Sequence, residues 1–123
     1  MTQKGVNVNW VGNYEFLSFT FPQVLDKKSA DAAIKAWDHE FALQPSRVDL
    51  IWDCTDMNDY DPVARMNWQK ALTAHKGQIN TIYLISDSAM IRAAAKIFSL
   101  FVGVSIKPVK CMDEVLATKL IAA

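Results

Sequence analysis

The densest run of reactive side chains is Val48 to Arg65, VDLIWDCTDMNDYDPVAR. Four carboxylates (Asp53, Asp56, Asp59 and Asp61), a hydroxyl at Thr55, a thiol at Cys54 and a phenol at Tyr60 crowd beside the end of an apolar strand. Carboxylates at this density could coordinate a divalent cation, because hard cations take several oxygen ligands. The loop has no internal glycine and lacks EF-hand spacing. Asp and Asn also serve turns, and Asp61 before Pro62 is a ready N-cap. The bland account is stronger, and no metal or other cofactor is expected.

A second polar group, Ser86, Asp87 and Ser88, ends another apolar run. Ser86, Ser88 or Cys54 could attack a carbonyl only with a base at hand. His39 falls midway along a predicted helix and His75 at the end of the next, with no spacing that brings either to those groups. No catalytic residue is assigned, and a non-enzymatic protein is expected. In open α/β sheets ligands gather at the carboxyl ends of parallel strands. Asp53, Thr55, Asp56, Tyr60, Asp61, Ser86, Asp87 and Ser88 are therefore the candidate partner or ligand loop. Helix N-termini led by Pro62 and Ala89 would offer N–H groups to an anion. The aspartates on the same edge repel one, which disfavours a phosphate site.

The elements that must hold these residues follow from patterning. The chain has 123 residues, 51% hydrophobic and 21% charged, the make-up of one globular domain spanning 1–123. Thirteen basic and thirteen acidic side chains cancel, so no basic footprint for nucleic acid is expected. Cys54 and Cys111 lie in apolar surroundings without CxxC spacing and read as reduced, buried thiols; with His39 and His75 they lack zinc-ligand spacing. The N-terminus has no signal-peptide core, and no apolar run reaches the ~18 residues of a membrane span. A cytoplasmic protein is expected.

Gly5–Val11 and Tyr14–Phe21, separated by Gly12-Asn13, alternate as a hairpin closed by Pro22. A helix over about Ala30–Leu43, with Ser29 as N-cap, turns Ala30, Ile34, Trp37 and Phe41 to one side. Val48–Asp53 and Ile79–Ser86 read as buried strands, and Val104–Val109 as a third with Pro108 marking an edge. Between them the pattern predicts helices from Pro62 to about His75, stopped by Gly77, and from Ala89 to about Val102, closed by Gly103. A last helix is expected from Glu114 to about Ala122, capped by Asp113. The order is β-β-α-β-α-β-α-β-α: an α/β fold with a mainly parallel five-stranded sheet, an N-terminal hairpin and four helices. Trp37, Trp52 and Trp68 fall on core faces, and Trp10 belongs to the edge hairpin.

The helix from Ala89 to Val102 carries two apolar stripes. Ile91, Ala94, Phe98 and Phe101 are expected against the sheet. Met90, Ala93, Ile97 and Leu100 form the second. A helix apolar on two faces buries both or exposes a binding surface. The terminal helix (Val115, Leu116, Leu120, Ile121) could cover the second stripe. Otherwise the stripe is a homodimer face, a partner groove or an apolar pocket.

The element order and the Val48–Arg65 run resemble the STAS domain, whose type member is the sporulation anti-sigma factor antagonist. In that family an apolar strand ends in Asp, a hydroxyl follows two residues on, and Asp-Ser-Ser-Gly opens the next helix. Asp53, Thr55 and Asp61 match. The two serines correspond to Pro62 and Val63 and the glycine to Ala64, so the phosphorylated position is Val63. The chain looks closest to divergent bacterial SpoIIAA-like proteins without the phosphoserine, some of which resemble CRAL-TRIO lipid-binding domains. The resemblance implies a regulatory or protein-interaction module, binding a partner or itself as a homodimer. The alternative is a carrier or sensor of a small apolar or lipid-like ligand.

Overall fold

The structure is a computed structural model that describes residues 5–12, 16–43 and 46–115. Its strands are β1 (Asn7–Val11), β2 (Phe16–Thr20), β3 (Val24–Leu25), β4 (Val48–Asp53), β5 (Asp59–Tyr60), β6 (Ile79–Ile85) and β7 (Ile106–Val109). Its helices are α1 (Lys27–Leu43), α2 (Pro62–His75) and α3 (Ala89–Val102). Five strands form the main sheet in the order β1-β2-β4-β6-β7. The β1–β2 hairpin is antiparallel and every other pair in that sheet is parallel, as the patterning predicts. Pro108 sits in β7, an edge strand, where its missing N–H breaks no ladder.

Each crossover, β2 to β4, β4 to β6 and β6 to β7, advances in the same direction across the sheet. Right-handed connections then place α1, α2 and α3 on one face. The core confirms it: Leu17, Phe19, Leu50, Trp52, Ile82 and Leu84 from alternate strand positions meet Trp37, Trp68 and Ile91 from the three helices. The rings of Phe19, Trp37 and Trp68 pack edge-on or tilted with centroids 5.3–5.5 Å apart, an arrangement that adds about 0.5–1.5 kcal/mol per pair beyond burial. The intervening strand residues, Phe16, Ile51, Tyr83, Ile85 and Val109, form a second cluster with Val115 on the opposite face.

The helix ends are set by local chemistry. Asp61 accepts the Val63 N–H at 2.8 Å and caps α2, and Ser88 accepts the Ile91 N–H at 3.3 Å to cap α3. Gly103 closes α3 at φ 78°, a left-handed conformation that a side chain would strain. Three expectations need correction. Helix α1 begins one turn before Ala30, because Asp26 rather than Ser29 is the cap, accepting the Ser29 N–H at 2.7 Å. The Lys27-Lys28 pair, unfavourable for a helix N-terminus, hid that start. Gly77 does not stop α2 with a left-handed residue; it lies in a short 3-10 turn, Lys76–Gln78. The chain is helical again over 112–115, so Asp113 is inside that turn rather than its cap. Val115 packs on the sheet face opposite α3 and cannot cover its outer stripe; Leu116, Leu120 and Ile121 lie outside the described residues.

Candidate functional site

The parallel register aligns Thr20, Asp53, Ile85 and Val109 in one row across the carboxyl edge of the sheet. The row is extended beyond the strands by Phe21 N–H to Asp53 O at 3.0 Å, Cys54 N–H to Ile85 O at 2.9 Å and Ser86 N–H to Val109 O at 3.0 Å. The loops after β4 and β6 are therefore neighbours, as the strand-end argument expects, and the N-termini of α2 and α3 rise from them. A small ribbon that patterning missed pins the first loop. Strands β3 and β5 pair in parallel, Val24 with Asp59 and Leu25 with Tyr60, with Asn58 N–H to Gln23 O and Asp61 N–H to Leu25 O at 2.9 Å on either side. Two-residue strands carry no periodicity to read.

The aspartates of this loop are turned to their own backbone. Asp53 Oδ1 accepts from both the N–H and the Oγ1 of Thr55, and Asp59 Oδ1 accepts the Tyr60 N–H at 2.8 Å. Asp61 caps α2, and Asp56 is exposed. Among the described residues no three His, Cys, Asp or Glu side chains are grouped so that they could hold a metal.

The second loop behaves alike. Ser86 is buried with its Oγ accepting the Ser88 N–H at 3.1 Å, Ser88 Oγ caps α3, and Asp87 is exposed. Burial, and next the Asp53 charge, push the Cys54 thiol well above its ordinary range, so it stays protonated. Cys111 departs from expectation: it is exposed, because its position just past β7 leaves it outside both clusters. His75 is held at the far end of α2 from Asp61, about 20 Å along the helix at 1.5 Å per residue. There its Nε2 meets Asp38 at 2.6 Å and its ring stacks against Trp37 and Phe41.

Beside these loops lies a cleft of about 340 Å³ between α2 and α3, bounded by the sheet and the β3–β5 ribbon. Trp52 and Leu84 contribute from the sheet, Trp68 from α2, and Ile91, Ala95 and Phe98 from α3. The Leu25 and Tyr60 side chains close the ribbon end. Its polar lining is small: the Cys54 thiol, Tyr60, Arg65 and Gln69. The indole N–H groups of Trp37, Trp52 and Trp68 are buried with no hydrogen-bond partner among the described residues. Of the polar loop set, Tyr60 alone reaches the cleft.

Helix α3 is rotated differently from its pattern. Ile91, Ala95 and Val102 are its buried residues, while Phe101, expected against the sheet, is 78% exposed. The second stripe is open: Met90, Ala93, Ile97 and Leu100 are all exposed, Leu100 by 85%. Ile97 and Phe101 also form part of the cleft lining, so pocket and exposed stripe are continuous.

No protein-family model matches the sequence, and no curated protein matches it. In three dimensions the chain is similar to an uncharacterised protein of the DUF3478 family with a SpoIIAA-like fold from Shewanella loihica PV-4. The TM-score is 0.80 at 13% identity, over 95% of this chain and 97% of that one. The fold is therefore SpoIIAA-like, with a mixed sheet whose single antiparallel pair is the opening hairpin. Among the described residues no helix is long and apolar enough to cross a membrane.

Proposed function

We propose that this protein is a non-enzymatic binding module whose cleft between α2 and α3 takes a small apolar ligand. The carrying observation is the cleft, about 340 Å³ and walled by aromatic and aliphatic side chains with few polar groups. Ligand sites have that make-up and run from roughly 300 to 1,000 Å³. The groups that could have done chemistry are otherwise engaged. The Ser86 and Ser88 hydroxyls accept backbone N–H groups, and the Cys54 thiol is held protonated. Native mass spectrometry of freshly purified protein tests the reading. A bound apolar species, lost when Ala95 is replaced by the space-filling Phe, is the expected result. Apo mass alone, together with no uptake of any apolar probe, overturns it.

A second reading, a protein-interaction module resembling the anti-sigma factor antagonists and acting through a partner or as a homodimer, is favoured by the outer face of α3. Met90, Ile97, Leu100 and Phe101 are between 58 and 85% exposed there, a grouping that marks an interaction surface more often than an idle one. Sedimentation of the protein alone, and with Ile97→Ser and Leu100→Ser, tests it. Association that the substitutions abolish supports a self-interface, and a monomer at every concentration removes the homodimer. Loss of bound ligand with unchanged sedimentation assigns the stripe to the pocket instead.

A further inference from the structure

Resting on the proposed binding module, we infer that its ligand is a small amphiphile with one negative charge, a carboxylate head on an apolar body, and that Arg65 supplies the counter-charge. Arg65 is the sole formally charged residue among the sixteen that line the cleft. It is exposed, and its guanidinium makes no ion pair or hydrogen bond among the described residues. It lies in the first turn of α2, whose N-terminus is capped by the Asp61 carboxylate. An anion at that rim would complement the guanidinium.

The remaining polar lining points the same way. Tyr60 and Gln69 can both donate to a bound head group. With one cation and no carboxylate in its lining, the cleft favours an anionic head, and arginine binds carboxylates in a two-pronged fashion. The charge is single because of the neighbouring loop. Asp59 and Asp61 flank Tyr60 without lining the cleft, their carboxylates accepting the Tyr60 and Val63 N–H groups. They raise the cost of each further negative charge and so disfavour a phosphate. A volume near 340 Å³ suits a body of medium length.

The test titrates the full chain with decanoate, decanol and decyltrimethylammonium, followed by calorimetry and by the intrinsic fluorescence of its four tryptophans. Decanoate is expected to bind about 10-fold more tightly than decanol, the ratio a charge-assisted hydrogen bond supports. Arg65→Gln should bring the decanoate-to-decanol ratio to near one, whereas Lys70→Gln, on an exposed α2 position outside the lining, should leave it unchanged. The ratio is read on one protein sample, so a partly unfolded variant does not mimic the effect. Equal binding of decanoate and decanol, or an unaltered ratio in Arg65→Gln, overturns the head-group assignment and leaves the apolar-ligand reading standing. Absence of binding by all three overturns both.

Discussion

Asp61 holds Val63: the carboxylate Oδ1 accepts the Val63 backbone N–H at 2.8 Å and starts α2. In the STAS pattern these two positions are the motif aspartate and the phosphorylated serine. Here the aspartate serves as a helix cap and the second position is an aliphatic residue, 44% exposed, with no hydroxyl to modify. Asp61→Ala is expected to cost about 1 kcal/mol, the usual loss for an N-cap, lowering Tm by roughly 3–6 °C. Asp61→Asn keeps an acceptor and should stay close to the parent protein. Urea unfolding of both variants checks this, and equal losses would show that the charge rather than the cap matters.

Helix α3 should separate cleanly into supporting and displayed residues. Ile91 is 4% exposed and Leu100 is 85% exposed. Ile91→Ala is expected to lose about 2–5 kcal/mol as a core truncation, and Leu100→Ser less than about 0.5 kcal/mol. Chemical denaturation measures both, and a large loss at Leu100 would show that the stripe is covered in solution.

The two thiols should differ in reactivity. Cys54 is buried and its thiol is pushed upward by desolvation, whereas Cys111 is exposed. Brief treatment with iodoacetamide at neutral pH should label Cys111, leaving Cys54 unmodified until denaturant is added. Peptide mass spectrometry reads the order, and early labelling of Cys54 would reveal frequent opening of the β4 end.

Acid sensitivity should localise to the start of α1. Hydrogen bonds from Ser29 hold the Asp26 carboxyl below its ordinary value of 3.8, and the Lys27 side chain does the same for Asp31, helped by Asn67. A carboxyl whose folded value is depressed favours folding above the ordinary value, and that contribution is lost as pH falls below it. Both groups are exposed and solvent-screened, so the effect is small. Stability should therefore fall as pH drops below about 4, less steeply in Asp26→Asn. Melting curves across that range decide it, and identical slopes would assign the acid loss elsewhere.

Much of the frame was legible because its signals are local. Pro62 after Asp61 marks the start of α2, and Gly103 after a largely apolar run marks the end of α3, at the residues observed. The apolar run Val48–Asp53 is the buried strand it reads as. The strand-end loops were foreseen as neighbours, since parallel strands joined by helices bring their carboxyl ends to one edge. The start of α1 was missed because two lysines contradict the helix dipole while the Asp26 cap supports it. The β3–β5 ribbon was missed because its two-residue strands are recognisable only by their pairing.

The candidate site divides along the same line. Sequence alone determined that α3 has more apolar surface than one face can bury, that Asp53 to Asp61 is a turn-forming acidic loop, and that no glycine-rich phosphate cradle follows any strand. These are properties of neighbours along the chain. Tertiary structure decided that Phe101 faces solvent, that Val115 lies across the sheet from α3, and that Trp52, Trp68 and Arg65 meet around one cleft. A helical stripe fixes which residues share a side, but the rotation of the helix against the sheet is set by packing with residues far away in sequence. Arg65 and Phe98 are brought to the same cavity by two crossovers and a strand register, and no spacing along the chain encodes that meeting.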